Sequence, residues 1–237
     1  MNPKKIAAEK AVDFINDGMT VGLGTGSTAY WAIKKIGERV RQGLKIHAMA
    51  SSSASEELAM GLNIPIIDAG KINHIDITID GADEVDQFGN LIKGGGGALM
   101  REKILAAYSK RFYVVVDQSK LVKTLGKFPL PIEILAFGAE ITLNNLRALK
   151  GNPKIRKEGG KNFVTDNGNL IADCSFLRIE DPETVHHQIN AIPGVLETGL
   201  FFKTMVHAVV VGLEHDEVKV IEKNDDGNFS ALLDFSR

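Results

Sequence analysis

A single cysteine, Cys174, leaves the 237-residue sequence without any disulfide inside the chain and points to a reducing compartment. An excess of either charge is missing too. The 28 basic residues face 30 acidic ones, a net of -2, so the basic surface that nonspecific nucleic-acid binding draws on is not there. No stretch approaches the roughly 20 apolar residues that cross a bilayer. The opening MNPKKIAAEKAVDFINDG reads as a short amphipathic helix, because Glu9, Lys10 and Asp13 break up the apolar core of a signal peptide. The expected setting is the cytoplasm, with no membrane and no nucleic-acid partner. Metal-ligand spacings are lacking among the six histidines: His186 and His187 are adjacent and face different sides of their helix, and no His-Glu-x-x-His occurs. There is no Gly-x-Ser-x-Gly nucleophile elbow, no internal repeat and no low-complexity tract. Cys174 falls in an expected strand, where packing is its role.

What is abundant is glycine, 24 residues of it, clustered at 22–26 and 94–97. The length suits one large domain or two modest ones at roughly 150 residues each, with a core that needs no structural metal. Up to about Gly126, short apolar runs at 21–23, 46–50, 64–67, 75–79 and 112–116 alternate with helical spacing at 28–41, 53–61 and 99–110. That alternation predicts a parallel sheet covered by helices, with ligands at the carboxyl ends of its strands. Two prolines in Gly126-Lys-Phe-Pro-Leu-Pro131 mark a boundary. Beyond it the expected order is strand 132–135, helix 138–149, strand 163–165, an Asn-Gly turn, strand 170–176, helix 181–191 and strand 195–200. This β-α-β-β-α-β order is the ferredoxin-like arrangement. The apolar runs 206–213 and 218–221 are surplus to it and are expected to rejoin the first sheet. The fold class is therefore α/β with an inserted α+β domain, divided as 1–126 with 204–237 against 127–203. No role is legible in 224–237.

Four segments carry candidate chemistry. Gly22-Leu-Gly-Thr25-Gly26-Ser27-Thr28 sits between a strand and a helix, where N–H groups and hydroxyls suit a phosphate. It lacks the Gly-Lys-Ser/Thr ending of a nucleotide P-loop, and the next strand ends in Ala50-Ser51-Ser52-Ser53 where a dinucleotide fold offers an acid. Asp80-Gly81-Ala82-Asp83-Glu84-Val85-Asp86 follows a strand and presents carboxylates to the crevice, close enough to address one polyhydroxylated ligand or share a proton. Lys93-Gly94-Gly95-Gly96-Gly97 resembles backbone shaped to wrap a small ligand with its N–H groups, as an oxyanion hole does. Lys93 adds positive charge, and Glu102 is either a base or a carboxylate complementing a helix dipole. Asp117-Gln-Ser-Lys120 ends a strand with a lysine able to reach a phosphate, or one simply exposed.

GLGTGST at 22–28, DGADEVD at 80–86, KGGGGAL at 93–99 with REKI at 101–104, DQSK at 117–120 and LGKFPLPIEI at 125–134 together resemble the ribose-5-phosphate isomerase A family. VTDNGN at 164–169 and IPGVLETGLF at 192–201 resemble its small domain. The resemblance implies a Rossmann-like domain with an inserted ferredoxin-like lid, no metal or other cofactor, and a homodimer or homotetramer. The implied reaction interconverts D-ribose 5-phosphate and D-ribulose 5-phosphate through an enediolate, in the non-oxidative pentose phosphate pathway. It implies Glu102 as base, with Asp80, Asp83 and Lys93 as catalytic groups around the sugar. Thr25, Gly26, Ser27, Thr28, Gly81, Ala82, Gly94, Gly95, Gly96 and Lys120 complete the substrate site, with Lys4 a weaker phosphate candidate. Which of Asp80 and Asp83 opens the furanose ring stays open. A sugar-phosphate deaminase or lactonase would share the sheet and phosphate loop. A non-catalytic sensor would usually add a DNA-binding helix-turn-helix, and a first strand beginning near residue 20 leaves no room for one.

Overall fold

The computed structural model describes residues 2–68, 70, 74–224, 226–229 and 232. Asn2 caps α1 (Pro3–Val12) by accepting the Lys4 N–H at 3.0 Å, and Pro3 occupies the first turn, where a missing N–H costs no helical bond. Strands and helices then alternate: β1 (Thr20–Leu23), α2 (Ser27–Arg41), β2 (His47–Ala50), α3 (Ser53–Gly61) and β3 (Ile77–Gly81). Two short strands, β4 (Glu84–Val85) and β5 (Leu91–Ile92), precede α4 (Leu99–Ala107) and β6 (Phe112–Asp117). Next come β7 (Leu130–Ile134), α5 (Ala139–Ala148), β8 (Pro153–Ile155), β9 (Lys157–Glu158), β10 (Lys161–Asn162), β11 (Leu170–Cys174), α6 (Pro182–Asn190) and β12 (Val195–Thr198). The chain closes with β13 (Leu200–Phe201), β14 (Ala208–Gly212) and β15 (Val218–Glu222).

The main sheet has the order β15-β14-β6-β3-β1-β2, parallel from β2 to β14, with β15 antiparallel at the edge. From β1 the chain first moves outward to β2 and then crosses to β3 on the other side. β1 and β3 are therefore hydrogen-bonded neighbours whose following loops diverge, which opens a crevice at their carboxyl ends. Side-chain alternation fills both faces. Tyr113, Val115, Ala208 and Val210 join the core under α1 and α2, while Phe112, Val114, Val116, Val209 and Val211 enter a second core on the opposite face. Among the described residues no helix is long and apolar enough to cross a membrane.

Between β6 and β14 lies the smaller sheet, β12-β7-β11-β8, antiparallel throughout, with α5 and α6 packed on it. This is the ferredoxin-like order, but its second strand is β8, not 163–165, where only a single bridge joins Val164 to Leu170. β8 is short and begins with Pro153, which a sheet edge tolerates and which hides the strand from a periodicity reading. Residues 64–67 likewise form no full strand: they bridge β2 at Ala48↔Ile66, with Pro65 supplying a carbonyl to the Ala48 N–H at 2.8 Å. The run 195–200 divides at Gly199. There a Cβ would lie 2.3 Å from the Lys93 carbonyl, and beyond it β13 leaves the small sheet to pair with β5.

The tail has a role after all. Phe229 and Leu232 are each 1% exposed and pack in the second core, and Phe229 lies against Gly89 so closely that a Cβ there would come within 2.4 Å. Residues 225, 230–231 and 233–237 of that segment lie outside the described residues. Phe229→Ala should lower stability by about 3–5 kcal/mol through the cavity it leaves. Urea unfolding checks this, and an unchanged midpoint would mean that the tail is not part of the core.

Candidate active site

The site is assembled where β1, β3 and β6 end. β3 delivers Asp80, the segment after β5 delivers Lys93, and the first turn of α4 delivers Glu102. These three side chains are 1%, 2% and 3% exposed. The Lys93 ammonium lies 2.8 Å from Asp80 Oδ2 and 3.2 Å from Glu102 Oε2, and donates to the Gly81 carbonyl. Asp80 Oδ1 accepts the N–H groups of Gly81 at 2.7 Å and Thr25 at 3.1 Å. Both Asp80 oxygens are thus engaged, whereas Glu102 Oε2 has the ion-pair contact but no hydrogen-bond partner.

Burial dominates the electrostatics. It drives the Glu102 carboxyl up to about 8, with the Asp80 charge adding to the rise and Lys93 opposing it. Burial also raises Asp80 against the pull of Lys93. For Lys93, burial disfavours the ammonium, but the charges of Asp80 and Glu102 outweigh that and raise its pKa, so it stays charged. One cation faces two carboxylates, and the pair releases its protons as a coupled unit.

Above this centre opens a cleft of about 250 Å³ bordered by Lys4, Thr25, Gly26, Ser27, Thr28, Gly81, Ala82, Asp83, Lys93, Gly94, Gly95, Gly96, Glu102 and Lys120. Every residue expected at the site borders it except Asp80, which lies beneath and acts on Lys93. Asp83 does face the cleft, and its Oδ2 accepts the Gly95 N–H at 2.8 Å. Gly26 precedes α2 with φ +94 and no capping side chain, so the first N–H groups of that helix carry no side-chain cap where Gly26, Ser27 and Thr28 border the cleft. Lys120 follows Asp117, whose carboxylate caps a short turn and lies 3.9 Å from Lys4. Gly24 is required here for space: a Cβ would come within 2.0 Å of Asp80 Oδ1.

Several residues that shape the cleft escaped the sequence reading. Thr25 Oγ1 bonds Ser51 Oγ at 2.7 Å and Ser52 Oγ at 2.8 Å, and Ser55 Oγ donates to the Gly24 carbonyl at 2.7 Å. The serines had been noted only for not being acidic, although their place after β2 is a strand's carboxyl end like the others. Glu84, 3% exposed, accepts the N–H groups of Gly126 and Phe128 and so anchors the start of the inserted segment. No group of three or more His, Cys, Asp or Glu that could hold a metal ion occurs among the described residues.

Fold and site together define a class: an α/β protein with a buried carboxylate–lysine–carboxylate centre beneath a cleft at the carboxyl ends of its parallel strands. Comparison with known proteins makes this particular. The family model "Ribose 5-phosphate isomerase A (phosphoriboisomerase A)" matches residues 47–216. A ribose-5-phosphate isomerase A of Bacillus mycoides (strain KBAB4) is 49% identical over 89% of this chain and 96% of its own length. The solved ribose 5-phosphate isomerase A of Methanocaldococcus jannaschii is 40% identical with a TM-score of 0.88, covering 94% of this chain and 99% of that one. A D-ribose-5-phosphate isomerase in complex with phospho-erythronic acid matches with TM-score 0.89 at 40% identity, covering 94% of this chain and all of that one (100%). The chain belongs to the ribose 5-phosphate isomerase A family.

Glu102 keeps its proton to higher pH folded than unfolded. The stability tied to it is therefore complete below about 4.5 and lost as pH rises through about 8. Carboxyl ¹³C NMR of labelled glutamate should show one residue, absent in Glu102→Gln, titrating near 8. Asp80→Asn should move that midpoint down, because the Asp80 charge raises it. A midpoint in the ordinary glutamate range would refute the coupling.

Proposed function

We propose that this chain is an aldose–ketose isomerase interconverting D-ribose 5-phosphate and D-ribulose 5-phosphate through an enediolate, as a step of the non-oxidative pentose phosphate pathway. The observation that carries the reading is the 3.2 Å approach of Glu102 to Lys93 on the wall of a cleft that the N-terminus of α2 also borders. Moving the carbonyl between C1 and C2 takes a proton from one carbon and returns it to the other. One carboxylate between them serves both, and a pKa near 8 lets Glu102 give and accept at neutral pH. Charge that develops on the oxygens is met by the Lys93 ammonium and by N–H groups of the glycine run, donors fixed before the reaction begins. The phosphate is assigned to Ser27, Thr28 and Lys120, with Lys4 at the rim. Its binding energy orients the sugar. Of the two aspartates Asp83 is the one that borders the cleft, so ring opening is assigned to it. Asp80, with both oxygens engaged, holds Lys93.

The bound phospho-erythronic acid of a related isomerase supports this reading. Its carboxylate places negative charge next to a phosphorylated polyol, as the enediolate does. The two-domain division at 127–203 fits the pairing of β7, β8, β11 and β12 within one sheet. The same reading includes a cytoplasmic setting and a homodimer or homotetramer, for which exposed Leu135, Phe137 and Ile141 offer apolar surface.

Glu102→Gln should lose about 10²- to 10⁴-fold in turnover while still binding ribose 5-phosphate. Solvent deuterium exchange at C2 reads the proton step directly, and exchange at the unmutated rate would take the role of base from Glu102. Lys120→Ala removes a contact made in ground and transition states alike, so it should raise KM and spare kcat. A fall in kcat with KM unchanged would move Lys120 into the chemistry.

A further inference from the structure

Arg156 and Asp173 belong to the inserted unit and appear in no part of the mechanism above, yet they grip its glycine run. Arg156 lies between β8 and β9, and Asp173 is on β11, opposite Lys154 of β8. The guanidinium forms a two-pronged pair with that carboxylate, Nε to Oδ2 at 2.9 Å and Nη2 to Oδ1. Its remaining prong, Nη1, donates to the Gly94 carbonyl at 2.9 Å and the Gly95 carbonyl at 3.0 Å. The ring of Phe163 lies 5.9 Å from the guanidinium carbon and fills the place a Cβ on Gly97 would take, at 2.4 Å.

Peptide geometry turns this grip into a direction. In a trans peptide the carbonyl of one residue and the N–H of the next point opposite ways, and no cis peptide occurs among the described residues. A cation on the Gly94 and Gly95 carbonyls therefore turns the N–H groups of Gly95 and Gly96 away from itself. The Gly95 N–H meets Asp83, and the Gly96 N–H finds no acceptor among the described residues while Gly96 borders the cleft. Two carbonyl dipoles aimed at one point repel each other, so the arrangement needs a cation between them. That cation also polarises both peptide units and makes their N–H groups stronger donors.

We propose that Arg156, held by Asp173, is a positioning residue for the isomerisation: it fixes the peptide units from Gly94 to Gly96 so that the Gly96 N–H is presented to the enediolate oxygen. This rests on the reading of the cleft as the sugar-phosphate site. It makes the inserted unit a working part of the centre, because Arg156 follows its edge strand β8, Asp173 lies on the adjacent β11, and the donor they orient belongs to the loop after β5.

The test measures kcat and KM for ribose 5-phosphate, with thermal melting, in Arg156→Ala, Arg156→Lys and Asp173→Asn. A donor used only in the transition state gives equal losses in kcat and kcat/KM, so Arg156→Ala should lose about 10- to 100-fold in both. Arg156→Lys keeps the charge without the fork and should fall between Arg156→Ala and the unmutated enzyme. Guanidinium ion at non-denaturing concentration should restore part of the turnover of Arg156→Ala, which a merely structural defect would not allow. Should Arg156→Ala fail to fold, Arg156→Lys and Asp173→Asn carry the same comparison. Unchanged kcat in the folded variants, or a loss confined to KM, overturns the role. Glu102→Gln assayed alongside separates the two readings. If it stays fully active, the assignment of the cleft fails, whereas an inactive Glu102→Gln beside an unimpaired Arg156→Ala removes only the positioning role.

Discussion

The buried Lys93 ammonium between Asp80 and Glu102 is the contact on which the rest of the architecture depends. Removing a charge from water is costly, and its burial is tolerable only when partners meet it with good geometry. Three separate elements must therefore converge within hydrogen-bonding distance: the end of β3, the strand pair β4–β5 and the first turn of α4. The surrounding sequence is built to permit that. Gly24 leaves room for the Asp80 carboxylate, Gly199 lets the chain pass against the Lys93 backbone, and the Lys93 N–H donates to the Gly199 carbonyl at 2.8 Å. Phe201, buried beneath, lies 5.3 Å from Lys93 and 5.0 Å from Lys103, so its ring face is shared by two cations.

α4 is where the two units meet, and the neighbours of Glu102 in sequence do the joining. Lys103 pairs with Glu197 and donates to the Thr198 carbonyl, both at 2.7 Å, on β12. Arg101 reaches across to the hairpin turn, donating to Asn167 Oδ1 at 2.8 Å and to the Asp166 carbonyl at 3.0 Å. That turn is itself held from both sides: Asn167 and Asn169 donate to buried Glu133, and the Ser53 N–H donates to Asp166. A carboxylate placed between two anchored residues on one helix turn has little freedom to rotate away, and this fixes its distance to Lys93.

What could be read from the sequence follows from where the chemistry sits. Gly24–Thr28, Asp80–Asp83 and Lys120 each lie at or just past the carboxyl end of a parallel strand, so finding the strands was enough to find them. Lys93 and Glu102 were legible because four glycines between strand and helix have no purely structural use. Contacts made across long sequence separations were not legible. Arg156 stands 62 positions from Gly94, and nothing in its own segment signals the carbonyls it holds. The serines after β2 escaped because a hydroxyl supporting another loop looks the same in sequence as one facing solvent. β8 escaped because its length and its proline mask the alternation that marks a strand. The tail escaped because two buried side chains among polar neighbours form no period.

The charge balance of the centre explains why Glu102 has a raised pKa and not an ordinary one. Lys93 is the one cation facing both carboxylates, so ionising Glu102 beside Asp80 adds negative charge among side chains that are almost wholly buried. Burial resists that, and Glu102 therefore carries its proton up to about 8. A carboxylate of ordinary pKa would be almost fully ionised at neutral pH and a weaker base toward a carbon-bound proton. One raised much further would seldom be free of its proton. Near 8, Glu102 is close to the balance that the proposed reaction asks of a single group accepting a proton from one carbon and returning it to the next. Asp80 acts on that balance twice over: its charge raises Glu102, and it accepts a hydrogen bond that keeps Lys93 in place, where the proposed reaction would develop negative charge.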